Sequence, residues 1–311
     1  MTIMDVARQA AAQLMLVSAP RWPTGGDAGF YEPPTPLPAG EPGDVIRSER
    51  IDAYLAPGLR LRARAWRVLY RSTSATGEPT AVSGIVLVPR GRSPGPRPLL
   101  GYAIGTHGIG DAAAPSRLIP RGLDWEAGLM AMCLARGWVV AVTDYQGLGT
   151  PGDHTYMVGR ALGPNVLDSM RAARALVPED LPDGGPAAIL GYSEGGAAAA
   201  WAAQLQPTYA PDVPLVAVVA GAAAADVETA GPSLDGTFFS FFMAYGGIGY
   251  AAAYPELDLD SYLTPMARER IGDLRESTIL QAVMMGPRFM HADELTQPNV
   301  LQMPEWRRRL R

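Results

Sequence analysis

The pentapeptide Gly191-Tyr192-Ser193-Glu194-Gly195 has the spacing G-x-S-x-G. A serine in that pattern bears chemistry when it sits on a tight turn between a strand and a helix. The backbone there is strained and the hydroxyl projects above the sheet. Side chains two positions either side would collide with neighbouring backbone, so both positions are glycine. Such a hydroxyl is a nucleophile toward an acyl carbonyl. The first amides of the following helix face the charge that develops on the carbonyl oxygen, and the backbone N–H of Glu194 is one expected oxyanion donor. A second donor is expected from a loop behind an earlier strand. Gly105-Thr106-His107-Gly108 follows the apolar run 99–104, and its glycines let the backbone approach a substrate oxygen closely. The N–H of Thr106 or of His107 is the candidate. Asp144 closes another apolar run and is expected to cap a turn or orient a loop rather than to react.

These residues need a particular scaffold. Residues 63–72 alternate and contain Val and Tyr, and 81–89 repeat the pattern after a Ser/Thr/Gly turn, which predicts two strands. Residues 99–105 form a third, more uniformly apolar strand. A strand–helix–strand rhythm follows: helix over 125–136 ending at Gly137, strand over 138–143, and helix over 164–177 with Pro164 in its first turn. Then come a strand over 187–190, an Ala-rich helix over 195–206 and another buried strand over 214–220. Apolar rather than half-polar strands in this rhythm predict an α/β fold whose mainly parallel sheet is flanked by helices on both faces. After about residue 226 no clear strand follows, and 238–254 is dense in Phe, Tyr, Met, Gly and Ala. The expected organisation is an irregular N-terminal arm over 1–44, a core over 45–225 and a helical region over 226–311.

The totals exclude several classes. The chain has 311 residues, 48% hydrophobic and 18% charged, so it can bury a core and is not a disordered type. The net charge of −5 lacks the basic footprint of a nucleic-acid binder. The single cysteine, Cys133, allows no intrachain disulfide. His107, His154 and His291 do not cluster with it at ligand spacing, so neither metal nor cofactor is expected. No apolar run reaches membrane-span length. The first twenty residues carry Asp5 and Arg8 near the start and a weak apolar stretch, and read as an amphipathic or unprocessed segment rather than a signal peptide.

The ordered stretches FYEPPTPLPAGEPGDVIRS, WRVLYRST, GYAIGTHG, ARGWVVAVTDYQGLG, GRALGPNVLDSMRAAR and GYSEGG resemble the secretory lipase family of bacteria and fungi, from about Phe30 to Ala225. The resemblance implies an α/β-hydrolase core with a late helical cap. It implies hydrolysis of carboxylic esters, often acylglycerols, by a secreted enzyme. It implies Ser193 as nucleophile, 105–108 as the oxyanion side, and a cap around 238–254 that lines an acyl pocket and contacts the lipid interface. Family members continue into further strands that bring an aspartate and then a histidine, whereas this chain ends at Arg311. The expectation is therefore a chain without a complete triad, weak or inactive as an esterase. Chain order still allows Ser193, an aspartate such as Asp273, and His291 as base, with His107 and His154 the remaining histidines. Two rival readings belong to the same fold: a non-catalytic lipid-binding protein and an acyltransferase.

Overall fold

The computed structural model describes residues 28–91 and 93–311, so the N-terminal segment discussed above lies outside the described residues. Among the described residues there are nine strands: β1 (Val45–Ile51), β2 (Tyr54–Ala56), β3 (Leu59–Arg60), β4 (Ala63–Thr73), β5 (Pro79–Pro89), β6 (Leu99–Ala103), β7 (Val139–Thr143), β8 (Ala187–Tyr192) and β9 (Leu215–Gly221). Seven of them form one sheet in the order β1-β4-β5-β7-β6-β8-β9, and β2 and β3 pair separately. Along β1, β4, β5 and β7 each strand runs antiparallel to its neighbour, and β7, β6, β8 and β9 run parallel. Every residue of β6 and β7 is buried, which is why these strands read as continuous apolar runs.

Eight helices of seven or more residues are described: α1 (Ala127–Ala135), α2 (Gly159–Leu176), α3 (Glu194–Tyr209), α4 (Val227–Ser233), α5 (Phe241–Ala253), α6 (Pro265–Arg275), α7 (Ile279–Met285) and α8 (Pro304–Leu310). From β6 the chain crosses through α1 to β7 on one side. From β7 it crosses back through α2 to β8, and from β8 through α3 to β9. Right-handed crossovers in opposite directions put α1 on one face and α2 and α3 on the other. The reversal makes the gap between the carboxyl ends of β6 and β8 a switch point, where open sheets place ligands. Register aligns Ala103 with Gly191 there, so the loop after β6 and the turn after β8 meet.

Two expectations are corrected. Pro164 is not in the first turn of its helix, because α2 begins five residues earlier at Gly159. At that start the backbone packs closely: a Cβ on Gly159 would come within 1.9 Å of the Trp201 indole nitrogen on α3. β9 is not a buried strand. It has one neighbour, β8, and exposes Val216 at 72% and Val219 at 56%.

The described residues bury two large apolar clusters. One fills the sheet and its helices, with Leu87, Tyr102, Val140 and Ile189 among its members. The other joins α5, α6 and α8 through Phe241, Tyr245, Ile271 and Trp306 to Ile109, Tyr156 and Ala161 beside the sheet. Burying each large side chain fully contributes roughly 1.5–3 kcal/mol. The helical region is therefore held against the loop after β6 by packing as well as by hydrogen bonds.

Candidate active site

Ser193 sits between β8 and α3 with φ 59° and ψ −120°, a left-handed conformation that non-glycine residues seldom adopt. The neighbouring backbone leaves no choice of residue around it. A Cβ on Gly191 would lie 2.0 Å from the Gly195 carbonyl oxygen, and one on Gly195 would lie 2.0 Å from that of Ala103. The Ser193 N–H is spent on the Gly221 carbonyl at 2.9 Å, which ties the turn to the end of β9. Ser193 itself is half-buried.

Oxyanion donors must be free. Among the described residues, the backbone N–H groups of Glu194, Thr106 and His107 make no hydrogen bond. That of Glu194 opens α3 and carries the partial positive charge of a helix N-terminus. The 105–108 loop is held from three directions. Glu126 accepts the Gly105 N–H at 3.1 Å and the Tyr102 hydroxyl proton at 2.8 Å. Thr106 Oγ1 hydrogen-bonds Tyr156 Oη at 3.1 Å. The His107 carbonyl accepts the Ile279 N–H at 2.8 Å, while the Ile109 N–H reaches the Ser277 carbonyl at 3.1 Å. A Cβ on Gly108 would meet that Ser277 oxygen at 2.4 Å. The helical region is thus hydrogen-bonded directly to the loop beside Ser193.

The three histidines have other occupations. His107 is buried, stacks on Trp125 with ring centroids 3.6 Å apart, and meets the Gly105 carbonyl through Nδ1 at 2.8 Å. Its Nε2 lies 3.5 Å from Asp124, an ion-pair rather than a hydrogen-bond distance. Burial favours the neutral ring, but the Asp124 and Glu126 carboxylates outweigh it and raise His107 above the ordinary histidine value. His154 is buried with Nε2 2.7 Å from Glu194 Oε1 and Nδ1 3.1 Å from the Gln146 carbonyl. The Glu194 side chain therefore anchors the first turn of α3 to the interior while its N–H stays free. His291 is exposed, pairs through Nδ1 with Asp235 at 2.9 Å, and caps a short helix at 292–295. Among the described residues no hydrogen bond joins any of the three to Ser193 Oγ.

Asp144 is buried and accepts from the Ser83 hydroxyl and from the hydroxyl and N–H of Ser116. Burial raises its carboxyl above the usual range, and it ties the end of β7 to β5 and to the short helix at 115–118. Asp273 lies on α6. Beside Ser193, Glu194 and Tyr156 a cavity of about 260 Å³ extends under the helical region, walled by Leu234, Phe242, Leu263, Ile271, Leu295 and Trp306. Sequence reasoning placed the apolar wall within 238–254. The contributions of Leu263, Leu295 and Trp306, and the hold of Glu126 and Tyr156 on the loop, come from contacts distant in the chain that no local pattern marks.

Among the described residues no helix is long and apolar enough to cross a membrane, and no group of three or more His, Cys, Asp or Glu side chains could hold a metal ion.

Residues 115–305 match the family described as Secretory lipase. Over 296 residues the chain is 30% identical to a protein described as a probable inactive lipase from Mycobacterium tuberculosis, covering 90% of this chain and 64% of that protein. It is 32% identical to a secreted triacylglycerol lipase from Malassezia globosa, covering 75% of this chain and 41% of that one. It thus spans about two-fifths to two-thirds of the length of these relatives. The fold superposes on Candida antarctica lipase A with a TM-score of 0.79 at 23% identity, covering 89% of this chain and 65% of that structure. That likeness gives the fold as α/β-hydrolase.

Proposed function

We propose, from the premise that this chain belongs to the secretory lipase family, that it carries the nucleophile, oxyanion donors and acyl pocket of a serine carboxylic ester hydrolase for acylglycerols or other lipid esters. One observation carries this reading: Ser193 is held at a left-handed turn on the border of an apolar cavity of about 260 Å³. In this reading residues 45–225 are the hydrolase core and 226–311 the cap that encloses the acyl chain. Export from the cell fits the family's description and the secreted relative.

The steps follow from the groups present. The acyl chain enters the cavity and the ester carbonyl comes to rest over Ser193. Oγ attacks the carbonyl carbon, and the oxygen takes up negative charge against the N–H of Glu194 and that of Thr106 or His107. Collapse expels the alcohol, and water then releases the acid from the acyl-enzyme. The attacking hydroxyl must lose its proton, and among the described residues no histidine is hydrogen-bonded to it. Oxyanion stabilisation and binding alone leave roughly 10³–10⁴-fold acceleration over water. Hydrolysis by these 311 residues is therefore expected to be slow. Turnover of short p-nitrophenyl esters, compared with Ser193→Ala, tests this. Slow, Ser193-dependent turnover is expected, and turnover at ordinary enzymatic rates or equal rates in both proteins would contradict it.

The occupied histidines favour a second reading, a hydrolase-fold protein that holds a lipid without cleaving it. Binding of a fatty acyl ligand that persists in Ser193→Ala, with no acyl-enzyme in the wild type, would select it.

A further inference from the structure

The peptide between Gly105 and Thr106 is held by side chains rather than by a sheet or helix. The Gly105 carbonyl faces Nδ1 of the His107 ring at 2.8 Å, and the Gly105 N–H donates to Glu126 at 3.1 Å. A Cβ on Gly105 would lie 3.2 Å from the Tyr192 carbonyl oxygen, so this peptide borders the turn that carries Ser193. The Gly105–Thr106 bond is trans. A trans peptide points its carbonyl and its N–H in opposite directions. A donor held on the Gly105 carbonyl therefore fixes the direction of the free Thr106 N–H.

The His107 ring stands between two acceptors. Nδ1 meets the Gly105 carbonyl, and Nε2 faces the Asp124 carboxylate at 3.5 Å. A neutral imidazole has one N–H and one lone pair, so one of the two acceptors would face a lone pair. Only the imidazolium offers a proton to each. The surroundings favour that charge. The ring lies flat on Trp125, with planes 2° apart. Asp124 and Glu126 have no arginine partner among the described residues. Together these carboxylates outweigh burial and raise His107 above the ordinary histidine value. Of the other groups around the loop, burial keeps the Tyr102 and Tyr156 hydroxyls protonated. Ser277, Thr278 and Ile279, which meet the loop from the helical region, do not ionise.

We propose that His107 is a positioning residue: as an imidazolium it donates from Nδ1 to the Gly105 carbonyl and so aims the Thr106 N–H, rather than its own, at the oxygen of the acyl group. Loss of the ring proton leaves one proton for two acceptors. The carboxylate is the stronger acceptor and takes it. The Gly105 carbonyl then faces a lone pair, and the peptide is released to turn. The proposal rests on the reading of Ser193 as the nucleophile toward an acyl carbonyl.

The test is the rate of Ser193 labelling by a fluorophosphonate across pH, for the whole chain and two variants. The His107 ring is followed in parallel through its Cε1–H by NMR, and its midpoint is expected above about 6.5. An asparagine amide can put an N–H where Nδ1 stands, whereas a glutamine amide reaches toward Asp124. On the acid side of the ring's midpoint, His107→Gln should label about tenfold more slowly than the wild type, and His107→Asn at nearly the wild-type rate. On the alkaline side the glutamine variant should match the wild type and the asparagine variant should exceed it. Taking the ratio to wild type at each pH removes the shared dependence of the attack on hydroxide. Circular dichroism checks the fold of each variant. If one fails to fold, the wild type still decides, because its labelling must rise less steeply with pH where the ring titrates. A ratio for His107→Gln that does not change with pH, an asparagine variant as slow as the glutamine one, or a ring midpoint below the ordinary value would overturn the positioning role. No labelling of the wild type at any pH would overturn the reading of Ser193 and the proposal with it, a result distinct from labelling that ignores the state of the ring.

Discussion

The tight turn at Ser193 could be read from five residues because the pattern that marks it is local, although the backbone that crowds it is not. The strand before it, the helix after it and the glycines on either side all lie within one turn of chain. The predicted steric reason has a measure in the structure: the Gly195 Cβ position lies 2.0 Å from the Ala103 oxygen. Gly195→Ala is expected to cost about 1–3 kcal/mol or more and to abolish labelling of Ser193 by a fluorophosphonate, with denaturant melts and mass analysis as the readouts. The histidines were less legible. Their types were visible, but the partners that occupy them, Asp124 and Trp125 for His107, Glu194 for His154 and Asp235 for His291, follow only from folding. The pairing with Asp235 raises His291 above the ordinary histidine value. Its stabilising contribution is then complete below the unfolded value of about 6.5 and is lost as pH rises through the folded one. An NMR titration should find the His291 ring shifted upward in the wild type and near the ordinary value in Asp235→Asn. His291→Ala should leave Ser193 labelling unchanged, and a large loss would make His291 the base after all.

Helices and strands were legible wherever one side chain pattern decided them, and misread where a neighbour did. α2 begins at Gly159, packed closely against Trp201, and carries Pro164 inside it rather than in its first turn. The composition LVAVVAG of β9 promises burial, but burial depends on what lies beside a strand, and β9 has only β8. The opposite edge strand, β1, carries Arg47, Glu49 and Arg50, charges that discourage pairing with another chain. β9 has none. Val219→Lys is expected to reduce concentration-dependent association in sedimentation velocity while leaving the melt nearly unchanged, since the side chain is 56% exposed. Within α5, Gly246 lines the cavity and a Cβ there would meet nothing within 4 Å. Gly246→Phe should project into that space and slow labelling by long-chain fluorophosphonates about tenfold relative to short-chain ones.

At the scale of the molecule, the sheet brings two loops to one switch point and the helical region closes over them. The sheet half was legible because strand–helix alternation and crossover handedness leave few topologies. The closure was not, because it depends on backbone bonds such as Ile279 to His107, between residues far apart in the chain. The result is Ser193, free amides and an apolar cavity assembled in one place, with no histidine bonded to the serine among the described residues. The most direct test is mass analysis after exposure to a fluorophosphonate over a range of pH, for the wild type and Ser193→Ala. Attack by Ser193 Oγ on phosphorus expels fluoride, and without a neighbouring base the proton goes to solvent. The account predicts slow modification confined to Ser193, faster as pH rises and absent from Ser193→Ala. Equal labelling of both proteins, or none of the wild type at any pH, would contradict the assignment of Ser193 as nucleophile.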